Sequence, residues 1–169
     1  ESNYFGDIVG YFRDTFDIIF DKKLSKDYPQ SFASHISFLQ AIYIQQDFIE
    51  EMLILFKTGV DKGNLKKDEN YSINREIRNE LVGHPIRKFH GKVISSALFG
   101  YNSSNETISY LRYHSENNFE FEDVNHEIKD ILNRHILFLI KYSEVIIQKL
   151  EKVLSHFRKK KKKMQTVSK

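Results

Sequence analysis

The chain contains no cysteine and no tryptophan, and only two prolines among its 169 residues. Without cysteine, disulfides, thiolate metal sites and a cysteine nucleophile are all excluded. Two prolines and seven glycines leave little punctuation, which favours long helices over many short strands. No stretch approaches the roughly 18 uninterrupted apolar residues of a membrane-spanning helix. The N-terminal ESNYFGDIVG carries neither the basic nor the apolar region of a secretion signal. A cytoplasmic location with no membrane partner is therefore expected. Asn102-Ser103-Ser104 and Asn105-Glu106-Thr107 match the glycosylation pattern, but in this context they read as turn residues.

What is present suits one soluble globular domain with a sizeable core: 40% hydrophobic and 29% charged residues, with 14 Phe and nine Tyr to fill it. The net charge of +3 conceals an asymmetry. Six of the 26 basic residues fall in the run Arg158 to Lys163, and the other 20 face 23 acidic residues, so the body carries −3. A block of like charge cannot pack on itself, and residues 158–169 read as a basic, disordered, solvated tail.

Hydrophobic periodicity divides the remainder. Phe5, Ile8, Val9, Phe12, Phe16, Ile19 and Phe20 form one stripe of a first helix over about 4–24. Tyr28-Pro29 breaks the pattern. A second helix over about 31–58 turns Phe32, Ile36, Leu39, Tyr43, Phe48, Met52, Leu53 and Phe56 inward. Residues 59–71 read as a loop, and Ser72 as the N-cap of a short third helix ending at Gly83 and His84-Pro85. From Lys92 β-branched and aromatic residues flank an Asn/Ser cluster, a hairpin signal with strands near 93–99 and 107–114 that NFEFE could extend. A last helix begins near Asp123, a candidate N-cap, and runs to Arg158. At about 36 residues it spans roughly 54 Å, longer than the domain needs, so part should overhang and meet a partner helix. The expected fold is mainly α: an antiparallel helical bundle in residues 1–157, with a β-hairpin inserted at 92–121 and a long C-terminal helix.

Chemistry concentrates in INREIRNELVGHPIRKFHGK, residues 73–92. Read from spacing alone, this is an ordinary helix ending. In one unbroken helix Arg78 and His84 would lie about 120° out of phase. Gly83 and Pro85, however, release the imidazole from the helical phase, so that His84 can turn toward a groove bordered by Arg78. Glu80 reads as exposed, with a hydrogen-bond network to Arg75 or to His84 of a second copy as the alternative. His114, His126 and His135 lack metal-ligand spacing, and His135 and His35 read as packing residues. No metal and no cofactor are expected.

RNELVGH, with Asn79 as the polar residue after Arg78, resembles the Arg-polar-x4–6-His signature of the HEPN superfamily (higher eukaryotes and prokaryotes nucleotide-binding). The placement at the end of a helix, with a long helix following, is similar as well; the hairpin departs from the family's minimal four-helix core. The resemblance implies a metal-independent endoribonuclease acting as a homodimer, with two motifs forming one composite site, in a toxin or defence role. An antitoxin or inhibitory protein would be a further partner. It implies catalytic roles for three residues. His84 would move protons, as histidine titrates near neutrality. Arg78 would hold the scissile phosphate, and Asn79 would orient His84 or bond the phosphate. The 2′-OH would attack within the substrate to leave a 2′,3′-cyclic phosphate. Arg75, Arg87, Lys88, His90 and Lys92 surround the motif with positive charge and would contact the RNA backbone. The other reading is a non-catalytic helical interaction module, or one that only binds nucleotides or RNA.

Overall fold

The computed structural model describes residues 3–21, 27–98, 106–118 and 120–167. The elements in order are α1 (Tyr4–Phe20), α2 (Tyr28–Leu55), α3 (Lys62–Lys66), α4 (Glu69–Arg78), a π-helical turn (Asn79–Gly83), β1 (Ile86–Phe89), β2 (Lys92–Leu98), β3 (Thr107–His114), a 3-10 turn (Ser115–Asn117), β4 (Phe121–Glu127) and α5 (Ile128–Val167). The Asn/Ser cluster expected to form the hairpin turn falls at 102–105, outside the described residues.

The expected fold class needs correction. In place of an inserted hairpin there is a four-stranded antiparallel meander in the order β1-β2-β3-β4. Its two outer strands have weak sequence signals. IRKF is short and follows directly on the helix stop. FEDVNHE opens on the NFEFE alternation that could extend the sheet, but from Asp123 on it is so polar that it reads as the first turn of the last helix. Asp123 is consequently a strand residue paired with Leu111, not an N-cap. The β1–β2 turn is His90-Gly91, both in the left-handed region (φ 49° and 80°), the geometry that a two-residue hairpin requires.

Helix boundaries moved for identifiable reasons. Pro29 sits in the first turn of α2, where its missing N–H costs nothing, so the helix starts at Tyr28. Residues 59–71 contain α3 and the first turn of α4. The carboxylate of Asp61 accepts the Asn64 N–H at 2.8 Å while the Asn64 side chain accepts the Asp61 N–H at 3.1 Å, a reciprocal capping box. Asp68, not Ser72, caps α4 by accepting the Asn70 N–H at 2.9 Å. The basic run expected to be a tail is helical, because α5 continues through it to Val167.

Two clusters make the core. One packs Ile19, Phe38, Ile42, Ile77, Leu81 and Ile131 against Ile108 and Tyr110 of the sheet. The other joins Ile49, Leu53, Leu65, Tyr71, Phe138 and Tyr142. The expected stripes of α1 and α2 were rotated. Of the eight positions assigned inward on α2, only Leu39 and Leu53 are fully buried, while Phe32 is exposed. α2 is central and covered on several sides, so His35, Gln45 and Gln46 are buried too. On α1, Phe5, Val9, Phe16 and Phe20 are exposed and Ile8, Thr15 and Ile19 are buried.

Polar side chains bridge the packed helices. The Gln45 amide donates to the Phe12 carbonyl at 3.1 Å and to Thr15 Oγ1 at 3.0 Å. Gln45 Oε1 must then accept, and His135 Nε2 lies 2.8 Å away. His135 is thus held as its Nε2–H tautomer, and Nδ1 finds no hydrogen-bond partner. Burial pushes its pKa down to about 4. The unfolded chain therefore binds the proton first as the pH falls below about 6.5, and stability is lost progressively from there toward pH 4. We expect urea unfolding to show a loss on the order of 2–3 kcal/mol between about pH 7 and pH 4.5. His135→Gln, which keeps a donor toward Gln45 without titrating, should flatten that slope; an unchanged slope would show that His135 is not its source.

Candidate functional site

The motif stretch is wound as a π turn, closed by the His84 N–H donating to the Asn79 carbonyl at 2.7 Å. Such a turn inserts a residue into the helix and re-aims the side chains that follow, and it is common at functional sites. Its fixed point is Glu80, which is buried, not exposed. Arg112 Nε and Nη2 donate to the two carboxylate oxygens at 2.6 and 2.8 Å. Ser96 Oγ donates at 2.8 Å and the Tyr110 hydroxyl at 3.0 Å, and Arg87 Nη2 lies at 3.7 Å. Arg75, one of the expected alternatives for Glu80, is paired with Asp47 instead.

The sheet's register makes this convergence. Ser96 pairs with Arg112 across β2 and β3, and Arg112 pairs with Glu122 of β4. Residues 108, 110 and 112 share the face of β3 that meets the helices, so Arg112 is an inward-pointing cation that needs a buried anion. Burial resists ionisation of Glu80, but the bonds from Arg112, Ser96 and Tyr110 outweigh it and hold the carboxyl at about 2. Burial and the neighbouring carboxylate push the Tyr110 hydroxyl up, so it remains a donor.

With Glu80 pinned to the sheet, Arg78 reaches instead toward α2. Arg78 Nε and Nη2 both donate to Gln40 Oε1, at 3.0 and 2.8 Å, and Nη1 donates to Asn79 Oδ1 at 3.1 Å. Its guanidinium carbon stands 4.1 Å from the centroid of the Tyr43 ring. The guanidinium lies across Gly83, where an added Cβ would come within 2.8 Å of Nη1 and make the arginine shift. Three of the five guanidinium N–H groups are thereby used, leaving two. Among the described residues Arg78 has no carboxylate partner.

A cleft of about 390 Å³ opens beside the turn, lined by Glu76, Asn79, Glu80, His84, Arg87 and Arg112. His84 is exposed at its edge. The structure thus brings Asn79, His84 and Arg87 together, with Arg78 tied to them through Asn79. It does not bring the other expected cations there. Arg75 forms an ion pair with Asp47 at 2.7 Å and stacks 3.9 Å from the centroid of Tyr43, on the α2 side. Lys92 pairs with Glu116, Lys88 is exposed on β1 and His90 is in the hairpin turn. Arg112, Glu76 and Gln40 were not singled out from the sequence. The signal for Arg112 was there: a charge two residues from Tyr110 on the inward phase of a strand.

Among the described residues no three His, Asp or Glu side chains are grouped so as to hold a metal ion. Truncating Glu80 would strand the Arg112, Tyr110 and Ser96 donors. Glu80→Ala should therefore cost about 3–5 kcal/mol in urea unfolding. Glu122→Ala, on the exposed side of Arg112, should cost less than about 1 kcal/mol. Equal effects would mean that Glu80 is no more than one surface partner of Arg112. Set against known proteins, the chain matches no family model, no curated protein and no solved structure.

Proposed function

We propose that this chain is a metal-independent endoribonuclease of HEPN type whose site comprises Arg78, Asn79 and His84, completed by the same residues of a second copy. The observation that carries the reading is the state of Arg78. Its charge is positioned by neutral oxygens of Gln40 and Asn79, with no carboxylate among the described residues. By contrast Arg75, Arg87 and Arg112 each face an acid. A cation oriented by neutral acceptors, with N–H groups to spare, is suited to a phosphate.

In the proposed reaction the RNA 2′-oxygen attacks the adjacent phosphorus. The P–O2′ bond forms as the P–O5′ bond breaks, giving a 2′,3′-cyclic phosphate and a 5′-hydroxyl. His84 serves proton transfer, taking the 2′-OH proton or delivering one to the departing O5′. Arg78 offsets the charge that builds on the phosphoryl oxygens. Asn79 fixes Arg78 through Oδ1 and lines the cleft. Arg87, on the cleft wall, adds backbone attraction, reduced by its proximity to Glu80. Toxin or defence action, and control by an antitoxin or inhibitory protein, belong to the same proposal.

A second reading, a non-catalytic helical interaction or nucleotide- or RNA-binding module, draws on the two carboxylates lining the cleft, Glu76 and Glu80, which oppose the charge that builds up in cleavage. The two readings separate in one assay: a labelled mixed-sequence RNA incubated with EDTA. The wild type should yield cyclic-phosphate ends. His84→Ala and Arg78→Ala should each lose about 10²–10⁴ in rate while their melting curves show the folded state. Binding without any cleavage would favour the second reading, and equal cleavage by all three proteins would sink the site assignment.

A further inference from the structure

The last part of α5 lies outside both core clusters. From Glu151 onward the described positions are exposed on every side, and residues 151–167 project about 25 Å beyond the packed bundle. This overhang is nonetheless amphipathic. The apolar stripe that packs through Ile146 and Leu150 continues at spacings of three and four into Val153, Leu154 and Phe157, which are 40%, 55% and 62% exposed. At about 100° per residue, Lys152 and Lys159 fall on the opposite side of the helix, with Arg158 and Lys160 at the flanks. From Ile146 to Val167 the only acid is Glu151.

The overhang is also far from the cleft. α4 runs antiparallel to α5: Asn74 donates to the Ile131 carbonyl, Tyr71 stacks on Phe138 and Lys141 pairs with Asp68. The cleft, following Arg78, therefore lies toward the start of α5. Arg158 is about 40 Å further along the helix from Ile131. At the overhang end further apolar groups are exposed, Phe5 on α1 and Ile54 and Leu55 on α2, beside Phe56, which meets Phe5 edge to face.

We propose that this end of the molecule docks on an anionic phospholipid surface, with α5 lying in the interface. Such a surface uses both halves of the helix. Apolar side chains enter the boundary between headgroups and acyl chains, and lysines are attracted to the acidic headgroups. RNA would use the cations and leave Leu154 and Phe157 in water. A second copy in parallel pairing would set two runs of like charge against each other. No helix among the described residues is long and apolar enough to cross a membrane; the contact is peripheral, and it is independent of the ribonuclease reading.

The experiment is cosedimentation of the full chain with phosphatidylcholine vesicles, with and without phosphatidylserine. Two variants at exposed positions keep the fold, checked by thermal melting. Leu154→Ser with Phe157→Ser removes the stripe and keeps the charge. Lys159→Gln with Lys160→Gln and Lys161→Gln does the reverse. Wild type should bind only the serine-containing vesicles, less so in high salt, and each variant should bind at least about tenfold more weakly. Failure of the wild type to sediment overturns the proposal. So does wild-type binding by the serine variant, which would mark a cationic site for any polyanion. A dimer that the serine variant dissociates, without vesicle binding, would assign the stripe to a second copy.

Discussion

The Glu80 carboxylate is tied to strands β2 and β3 by four hydrogen bonds, and much of the molecule's arrangement depends on it. One end of the network is the π turn after α4; the other is the inner face of the sheet. Holding an ionised carboxyl at a buried position is costly unless its lone pairs are satisfied, and Arg112 offers a bidentate fork for that purpose. Its effect is geometric as much as energetic. With Glu80 fixed to the sheet, Arg78 at the end of α4 reaches toward α2 and His84 leaves the turn at the edge of the cleft.

A similar logic of satisfied polar groups runs through the helical half. Gln45 joins α1, α2 and α5 through Phe12, Thr15 and His135. Asn74 joins α4 to α5 by donating to the Ile131 carbonyl and accepting from Arg134 at 2.9 Å. Asp68 caps α4 and also accepts from Lys141 at 2.6 Å and Tyr142 at 3.0 Å. Each of these groups suits only one alignment of the helices, which apolar packing alone specifies less sharply. The antiparallel setting of α4 on α5 then places the cleft and the basic overhang at opposite ends of the protein.

Charge separates these two ends in kind. Around the cleft most cations are matched by acids, and Arg78 stands out because its hydrogen-bond acceptors are neutral. On the overhang the cations are consecutive and exposed beside an apolar stripe. The first arrangement suits one oriented anion, and the second suits an extended anionic surface.

Some of this was legible in the chain alone. Periodicity located four of the five α-helices among the described residues in outline, including the long last one. Spacing alone reads Arg78, Asn79 and His84 as a helix ending; a resemblance of motif, and no short-range physical signal, singles them out. Local pattern hinted at a strand in NFEFE but could not show that it runs on through DVNHE, since that polarity is tolerated only where β3 supplies a ladder. Nor could it show which face of α2 is buried, because a helix covered on several sides has no single stripe. The burial of Glu80 was hidden for a related reason: its partners Ser96, Tyr110 and Arg112 are 16 to 32 residues away in sequence. The sequence by itself determined the residue types, the helix stop and the amphipathic end of α5, all of which follow from neighbours a few positions apart. Only the tertiary structure decided which cations would be neutralised, because that depends on contacts made across the sheet and between helices.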